Sequence, residues 1–144
     1  MCFVTLKQYI FHLSMPEKTK KILLVEDDSA IIDIYAMMMK KAGFEVQIAS
    51  LGQDVIKKVK SIESGEEAKP DIILLDLILP DMNGVEVLTQ IKNSSATKDI
   101  IVFILTNQEN AEKQMPEGIK PDKIIIKASL TPTQLIDVIK KQLG

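Results

Sequence analysis

Residues 72–84, IILLDLILPDMNG, decide the fold of this chain, because they place one carboxylate inside a long apolar run. Four apolar residues precede Asp76, three follow it, and Pro80 and Gly84 then break the pattern. A short apolar run bounded by turn residues is typical of a strand that is buried on both faces of a parallel sheet. We therefore predict a buried strand here, with Asp76 near its carboxyl end.

Similar apolar runs recur four more times from Lys20 onward, and longer mixed stretches separate them. This alternation is how a βα repeat of a mostly parallel sheet reads. Such strands need helices on both faces, so the predicted fold is a doubly wound α/β sandwich of three layers. The five predicted strands lie at residues 21–26, 44–49, 71–77, 99–105 and 122–127.

Capping residues place the helices between these strands. Asp28 or Ser29 can cap the first helix, Gly43 can end it, and Thr131 can cap the last. The fourth helix is short and weak, because a proline and a glycine follow it closely. The predicted helices lie at residues 30–42, about 53–62, 84–93, 110–115 and 131–143.

The composition limits the classes of function. The chain has 144 residues, of which 46% are hydrophobic and 26% charged, and this suits one globular domain with one core. Its 18 basic and 20 acidic residues provide no basic surplus for binding nucleic acid. Cys2 is the only cysteine, which excludes an internal disulfide and a zinc cluster built on cysteines. A reducing compartment, the cytoplasm, fits best.

We divide the chain into an N-terminal extension, residues 1–19, and one domain, residues 20–144. The extension is apolar, but polar residues such as His12 interrupt it and no signal cleavage site follows. It is also too short to span a bilayer. We expect an over-extended reading frame with its natural start at Met15, or a disordered segment. A docking segment and an extra edge element are the alternatives.

Polar side chains stand where four of the five predicted strands end. Glu26 and Asp27 follow the first strand, Asp76 the apolar part of the third, Thr106 the fourth, and Lys127 ends the fifth. In open α/β sheets, ligands bind outside the carboxyl ends of the strands. The sequence therefore predicts one site with three carboxylates, a hydroxyl and an ammonium group.

This set of groups points to a metal and a phosphoryl group. Three crowded carboxylates repel one another unless a cation lies among them, and oxygen ligands without His or Cys suit Mg²⁺, or Mn²⁺ in its place. Lys127 and the Thr106 hydroxyl are then left to hold an anion, and Asp76 becomes the natural nucleophile for an aspartyl-phosphate. Taken singly, Asp76 and Lys127 are better explained as ordinary strand-end residues, and threonine is common in strands; it is the joint occurrence of these residues that favours the site.

The ordered set KILLVEDD, IILLDLILPDMNG, ILT and IIIK closely resembles the receiver domain of two-component response regulators, from about Lys20 to Leu143. The resemblance implies a flavodoxin-like (βα)5 fold with a parallel sheet of order 2-1-3-4-5. It also implies a role for each residue of the site. These are Glu26 and Asp27 as the acidic metal-binding pair, Asp76 as phosphoacceptor and metal ligand, Ile78 as the donor of a backbone carbonyl to the metal, Thr106 as the switch hydroxyl and Lys127 as the conserved lysine of the motif.

By the same resemblance, the chain is a signalling switch of a phosphorelay and not an enzyme beyond self-phosphorylation and autodephosphorylation. A histidine kinase or phosphotransfer protein would donate the phosphoryl group to Asp76. A target would then dock on the face formed by the fourth helix, fifth strand and fifth helix. Because the sequence ends after the fifth helix, we expect a stand-alone receiver, without direct binding of nucleic acid or insertion into a membrane. It would be a monomer or a phosphorylation-dependent dimer.

Three positions depart from the family's usual pattern. Ala128 replaces the proline that commonly follows the lysine, and a cis bond there would cost about 2.5–4 kcal/mol. Ile124 replaces an aromatic switch residue, and Asn107 replaces a small residue after the threonine. We predict slow or altered turnover of the phosphoryl group, because Asn107 could crowd the site or form a hydrogen bond there.

Other classes of function are less well supported. A degenerate receiver that acts only as an interaction module would keep the fold and bind no metal, and the three departures favour it. A phosphatase of the haloacid-dehalogenase type would need a second aspartate where Ile78 stands. A dinucleotide-binding domain would need G-x-G-x-x-G after the first strand, which is absent from the sequence.

Overall fold

The computed structural model describes residues 18–144, which form a five-stranded parallel sheet and four α-helices. Residues 1–17 lie outside the described residues, so the predictions for the N-terminal extension remain predictions. Single turns of 3-10 helix cover Ala111–Gln114 and Lys127–Ser129. The regular elements are β1 (Lys21–Val25), α1 (Ser29–Lys41), β2 (Glu45–Ala49), α2 (Gly52–Glu63), β3 (Ile72–Asp76), α3 (Gly84–Asn93), β4 (Ile101–Thr106), β5 (Lys123–Ile126) and α4 (Pro132–Leu143).

The strand order is β2-β1-β3-β4-β5, and every neighbouring pair is parallel. This confirms the predicted doubly wound sheet of order 2-1-3-4-5. The order reverses between β1 and β3, where the chain has moved outward to β2 and then returned. At such a reversal the loops after the two strands leave toward opposite faces and open a crevice between them.

Apolar side chains cover both faces of the sheet, as the continuous apolar runs predict. Alternate residues along each strand enter opposite layers of the core. Leu23 and Ile73 lie in the layer beneath α2 and α3, whereas Leu24 and Phe103 lie in the layer beneath α1 and α4. The molecule is therefore the three-layer sandwich that the sequence predicts.

Local signals fix the ends of the helices that border the crevice. The Asp28 side chain caps α1 by accepting hydrogen bonds from the N–H groups of Ala30 and Ile31, at 2.9 and 3.1 Å. At the far end of the chain, Thr131 and Gln134 form a capping box at the start of α4. Within residues 18–144, no helix combines the length and apolar character required to cross a membrane.

The fourth predicted helix, at residues 110–115, is reduced to the single 3-10 turn Ala111–Gln114. Asn110 enters this turn in the left-handed conformation, with a φ of 58°. Pro116 follows directly, and the residue before a proline is disfavoured in the helical region, so the turn cannot extend forward. The segment between β4 and β5 therefore lies against the sheet largely without regular structure.

Candidate functional site

Three carboxylates meet at the crevice between β1 and β3. Val25 pairs with Leu75 in the parallel ladder, so the next residues along the two strands, Glu26 and Asp76, stand side by side. Oxygens of Glu26, Asp27 and Asp76 all lie within 4.8 Å of one another. Glu26 and Asp76 are only 2% and 8% exposed, whereas Asp27 lies at the surface. The three predicted acidic residues thus form one cluster.

Lys127 supplies the positive charge of this cluster. Its Nζ donates to Glu26 Oε2 at 2.7 Å and to Asp76 Oδ2 at 3.0 Å, although its backbone follows β5 at the edge of the sheet. Burial opposes the charge of the ammonium group and is the largest single influence. The bonds to Glu26 and Asp76 outweigh it together, and they raise the pKa of Lys127 above its usual 10.5.

Glu26 shows the cost of burying several carboxylates together. Burial is the main cause that raises the pKa of Glu26 above its usual 4.5, and repulsion from Asp76 adds to it. The bonds from Lys127 Nζ and from the Asp28 N–H, at 3.2 Å, oppose this rise without cancelling it. The cluster therefore carries more negative charge than Lys127 compensates, and it attracts a further cation.

Asp76 has its two oxygens in different environments. Oδ2 is bonded to Lys127, whereas Oδ1 accepts a bond from the Ile78 N–H at 3.1 Å. Beside it lies Thr106, the last residue of β4, which is 1% exposed and accepts a bond from the Gln108 N–H at 3.0 Å through its hydroxyl oxygen. These residues line an open cleft of about 340 Å³.

The loop after β3 is held in a fixed path. Ile78, 61% exposed, lines the cleft and pairs with Asn83 through an isolated antiparallel bridge. The Gly84 N–H donates to the Leu77 carbonyl oxygen at 2.7 Å. A Cβ at Gly84 would collide with the Asp76 carbonyl oxygen, so only glycine permits this close approach. The Ile78 backbone thereby stands at the rim of the carboxylate cluster.

The donor set fits a hard divalent cation. Glu26, Asp27 and Asp76 offer carboxylate oxygens from three positions on one side of the cleft, and Mg²⁺ prefers such oxygen ligands while keeping several waters. The excess negative charge described above favours the same ion. Mn²⁺ accepts the same kind of ligand.

Two contacts of the site have no counterpart in the sequence-based predictions. Asp81, in the loop after β3, accepts bonds from the N–H groups of Gly52 and Gln53, at 2.8 and 2.9 Å, and so caps α2 from a distance. These bonds, first the one from Gln53, hold the pKa of Asp81 below its usual 3.8. The available signal was Leu51 at the N-cap position of α2, a residue whose side chain cannot cap a helix.

The second unforeseen contact ties Asn107 to the turn that carries Lys127. Asn107 Oδ1 accepts a bond from the Ala128 N–H at 3.1 Å. No cis peptide bond occurs in residues 18–144, so the Lys127–Ala128 bond is trans. No sequence rule predicts a bond between a side chain and a backbone group 21 residues apart.

Residues 22–140 match the family model described as the response regulator receiver domain. Among curated proteins, the alkaline phosphatase synthesis transcriptional regulatory protein PhoP of Bacillus subtilis is 32% identical over 90 residues, which are 62% of this chain and 35% of PhoP. The cell cycle response regulator CtrA of Brucella ovis is 40% identical over 83 residues, 58% of this chain and 33% of CtrA. The chain spans about a third of the length of these relatives.

Solved structures give the same fold. The phosphorylated cyanobacterial phytochrome response regulator RcpA superimposes with a TM-score of 0.71 and 30% identity, over 86% of this chain and 91% of RcpA. The receiver domain of the sensor histidine kinase PA1611 from Pseudomonas aeruginosa gives a TM-score of 0.74 over 88% of this chain and 99% of that domain, with 18% identity. That domain was solved with a magnesium ion coordinated in its active site cleft.

Proposed function

Since this chain belongs to the response regulator receiver domain family, we propose that it is a signalling switch that accepts a phosphoryl group on Asp76. The observation that carries the proposal is the pair of bonds from Lys127 Nζ to Glu26 and Asp76, next to the Thr106 hydroxyl. This arrangement places Asp76 in the lining of the cleft and beside a cation, as a nucleophile for phosphoryl transfer requires.

The proposed reaction transfers a phosphoryl group from a phosphohistidine of a histidine kinase or phosphotransfer protein. An oxygen of Asp76 attacks phosphorus, the phosphorus–nitrogen bond breaks, and the imidazole leaves with the electron pair. Lys127 Nζ, already within 3.0 Å of Asp76, then neutralises charge on the transferred group. Glu26, Asp27, Asp76 and the Ile78 carbonyl would hold Mg²⁺, which would supply further positive charge at the site during the transfer.

Thr106 is the proposed link between phosphorylation and output. Its hydroxyl oxygen accepts a bond from the Gln108 N–H, so it holds the start of the β4–β5 segment. A phosphoryl group on Asp76 offers strong acceptors to the hydroxyl proton, and a move of Thr106 toward it would shift that segment. Output would follow on the face formed by the turn Ala111–Gln114, β5 and α4.

The partners proposed for the phosphorylated chain are proteins. The named relatives are regulators about three times as long as the matched region, so their activities do not transfer directly to this chain. We infer docking of a target protein on the output face, in the cytoplasm, with no catalysis beyond self-phosphorylation and its reversal. Ile124 packs with Met115 and Ile119 against the core on this face, and no aromatic ring can flip there. The output face therefore changes less than in receivers with an aromatic switch.

The first test is the intact mass of the protein after incubation with acetyl phosphate, with and without Mg²⁺. We expect a magnesium-dependent gain of one phosphoryl group in the wild type and none in Asp76→Asn. The matched control is Asp71→Asn, because Asp71 bonds the Lys21 N–H at 2.7 Å at the opposite end of the sheet. The control should gain the phosphoryl group like the wild type.

A folded wild-type protein that gains no phosphoryl group and binds no Mg²⁺ would contradict the proposal. It would favour the alternative, a degenerate receiver that binds partners without phosphorylation. Ile124, Asn107 and Ala128 are the residues that would then explain the loss.

A further inference from the structure

The Lys127 side chain reaches the site from the edge of the sheet. Its backbone follows β5, which within residues 18–144 is an edge strand paired with β4, whereas its Nζ bonds carboxylates at the ends of β1 and β3. The side chain is 12% exposed. A lysine side chain is long and flexible, so the position of Nζ depends on how firmly its backbone is held.

The backbone on either side of Lys127 is tied to the end of β4. Before the lysine, the last pair of the β4–β5 ladder joins Thr106 and Ile126. The 3-10 turn Lys127–Ser129 begins at the lysine itself, and the side chain of its N-cap residue, Ile126, makes no capping hydrogen bond. The next tie is the bond from the Ala128 N–H to Asn107 Oδ1. The β4–β5 ladder before Lys127 and the hydrogen bond from the Ala128 N–H to Asn107 after it therefore restrain the backbone on both sides of the lysine.

From these two backbone restraints we propose that Asn107 is a positioning residue, which holds the turn after β5 so that Lys127 Nζ stays beside Asp76. The inference rests on the proposed function and deepens it, because the sequence suggested that Asn107 crowds the phosphoryl site or forms a hydrogen bond there, and not that it restrains the turn that carries Lys127. Because Asn107 Oδ1 accepts the hydrogen bond from the Ala128 N–H, the Asn107 side chain restrains the turn that contains Lys127. A proline at position 128 would have no N–H to donate, and the bond requires a residue such as alanine there.

The test compares three substitutions of Asn107. Asn107→Ala removes the acceptor and the bulk, Asn107→Leu removes the acceptor but keeps a similar size, and Asn107→Asp keeps an acceptor in place. For the first two we expect the rate constant of phosphorylation by acetyl phosphate, at saturating Mg²⁺, to fall about fivefold, as for the loss of one neutral hydrogen bond. Hydrogen exchange at the Ala128 amide should become faster in both, and should stay slow in Asn107→Asp.

Two further variants separate positioning from general loosening. Gln114→Ala removes an exposed bond of similar length, from Gln114 Nε2 to Gln108 Oε1 at 2.9 Å, in the same β4–β5 segment. It should leave the rate and the Ala128 exchange unchanged. In a Lys127→Ala background, Asn107→Ala should cause no additional fivefold loss, because its effect acts through the lysine.

The outcomes are distinguishable. A wild-type protein that is not phosphorylated refutes the proposed function, and the inference falls with it. If the wild type is phosphorylated, an unchanged rate in Asn107→Ala and Asn107→Leu overturns the inference alone. A faster rate in Asn107→Ala only would instead assign Asn107 a crowding role, and an equal loss in Gln114→Ala would assign the effect to the whole segment.

Discussion

Asp76 and Glu26 share one ammonium group, and this sharing sets the electrostatics of the site at the scale of single residues. Two buried carboxylates with one Lys127 leave a net negative charge even before the exposed Asp27 is counted. Such an arrangement weakens the fold, since a buried charge costs free energy unless it is fully compensated. The excess of negative charge also favours a further cation at the site, as the proposed function requires.

Replacing Lys127 with Met should destabilise the protein. The change leaves both carboxylates without their hydrogen-bonded partner, and removing one partner of a buried ion pair costs about 3–5 kcal/mol, so we expect the free energy of unfolding to fall by about 3–5 kcal/mol at pH 7. Urea titration in magnesium-free buffer measures this. Lys58→Met is the control, because the Lys58–Glu67 ion pair at 2.9 Å is partly exposed and such pairs contribute only about 0–1 kcal/mol.

The pH dependence of this loss has a definite sign. Because the folded pKa of Lys127 lies above its usual 10.5, the stabilisation is fully present below 10.5 and disappears as the pH rises through the folded value. On the alkaline side of pH 7, the difference in unfolding free energy between the wild type and Lys127→Met should therefore narrow only above pH 10.5. A difference that narrowed between pH 7 and 9 would contradict the assignment.

The residues of the site differ in how far the sequence could predict them. Glu26, Asp76, Thr106 and Lys127 were predictable as a group, because each ends an apolar run and parallel strands end at one edge. The bond from Ala128 to Asn107 was not predictable. It depends on the path of two loops that only the folded sheet brings together.

At the scale of elements, α2 depends on a neighbouring loop for its N-terminal cap. The Leu51 side chain cannot accept bonds from the first N–H groups of the helix, and Asp81 accepts two of them from the loop after β3. That loop also carries Ile78 at the rim of the cleft. The cap therefore joins the start of α2 to the segment beside Asp76.

Asp81→Ala should lower the midpoint temperature of unfolding, and Asp81→Asn should lower it less because its amide oxygen still accepts one bond. The folded pKa of Asp81 lies below its usual 3.8, so its contribution is present above pH 3.8 and is lost as the pH falls through the folded value. Thermal unfolding at pH 7 and at pH 2 measures this. An equal difference between wild type and Asp81→Ala at both pH values would contradict the cap.

The segment between β4 and β5 shows where element-scale prediction fails. The sequence around Ala111–Gln114 contains helix-favouring residues, and a short helix was predicted there. The structure keeps only one 3-10 turn, because Pro116 stops the helix on one side and Asn110 enters it in a left-handed conformation on the other. A run of helix-favouring residues shorter than two helical turns does not offset the free-energy cost of helix nucleation.

At the scale of the whole molecule, the layers of the sheet were predictable from its apolar strands, and its strand order followed from the resemblance to receiver domains. Continuous apolar strands must be covered on both faces, and right-handed crossovers then leave few topologies. The position of the crevice follows, because the order reverses between β1 and β3 and those strands carry the carboxylates. Hydrogen bonds between individual loops cannot be predicted from these rules, because they depend on exact interatomic distances in the folded protein.

If the folded carboxylate cluster holds Mg²⁺ as proposed, Mg²⁺ should stabilise the whole molecule, since the unfolded chain offers no such site. At a concentration 100 times its dissociation constant, a ligand stabilises by about 2.7 kcal/mol. Differential scanning fluorimetry with increasing Mg²⁺ should show a rising midpoint temperature in the wild type and little rise in Asp27→Asn, which loses an exposed ligand without disturbing the Lys127 bonds.

Asp122→Asn is the control, because Asp122 bonds the Val102 N–H at the opposite end of the sheet. The rise in its midpoint temperature with Mg²⁺ should match that of the wild type. Equal rises in all three proteins would mean that Mg²⁺ binds elsewhere, and no rise in any would remove the metal from the proposed mechanism.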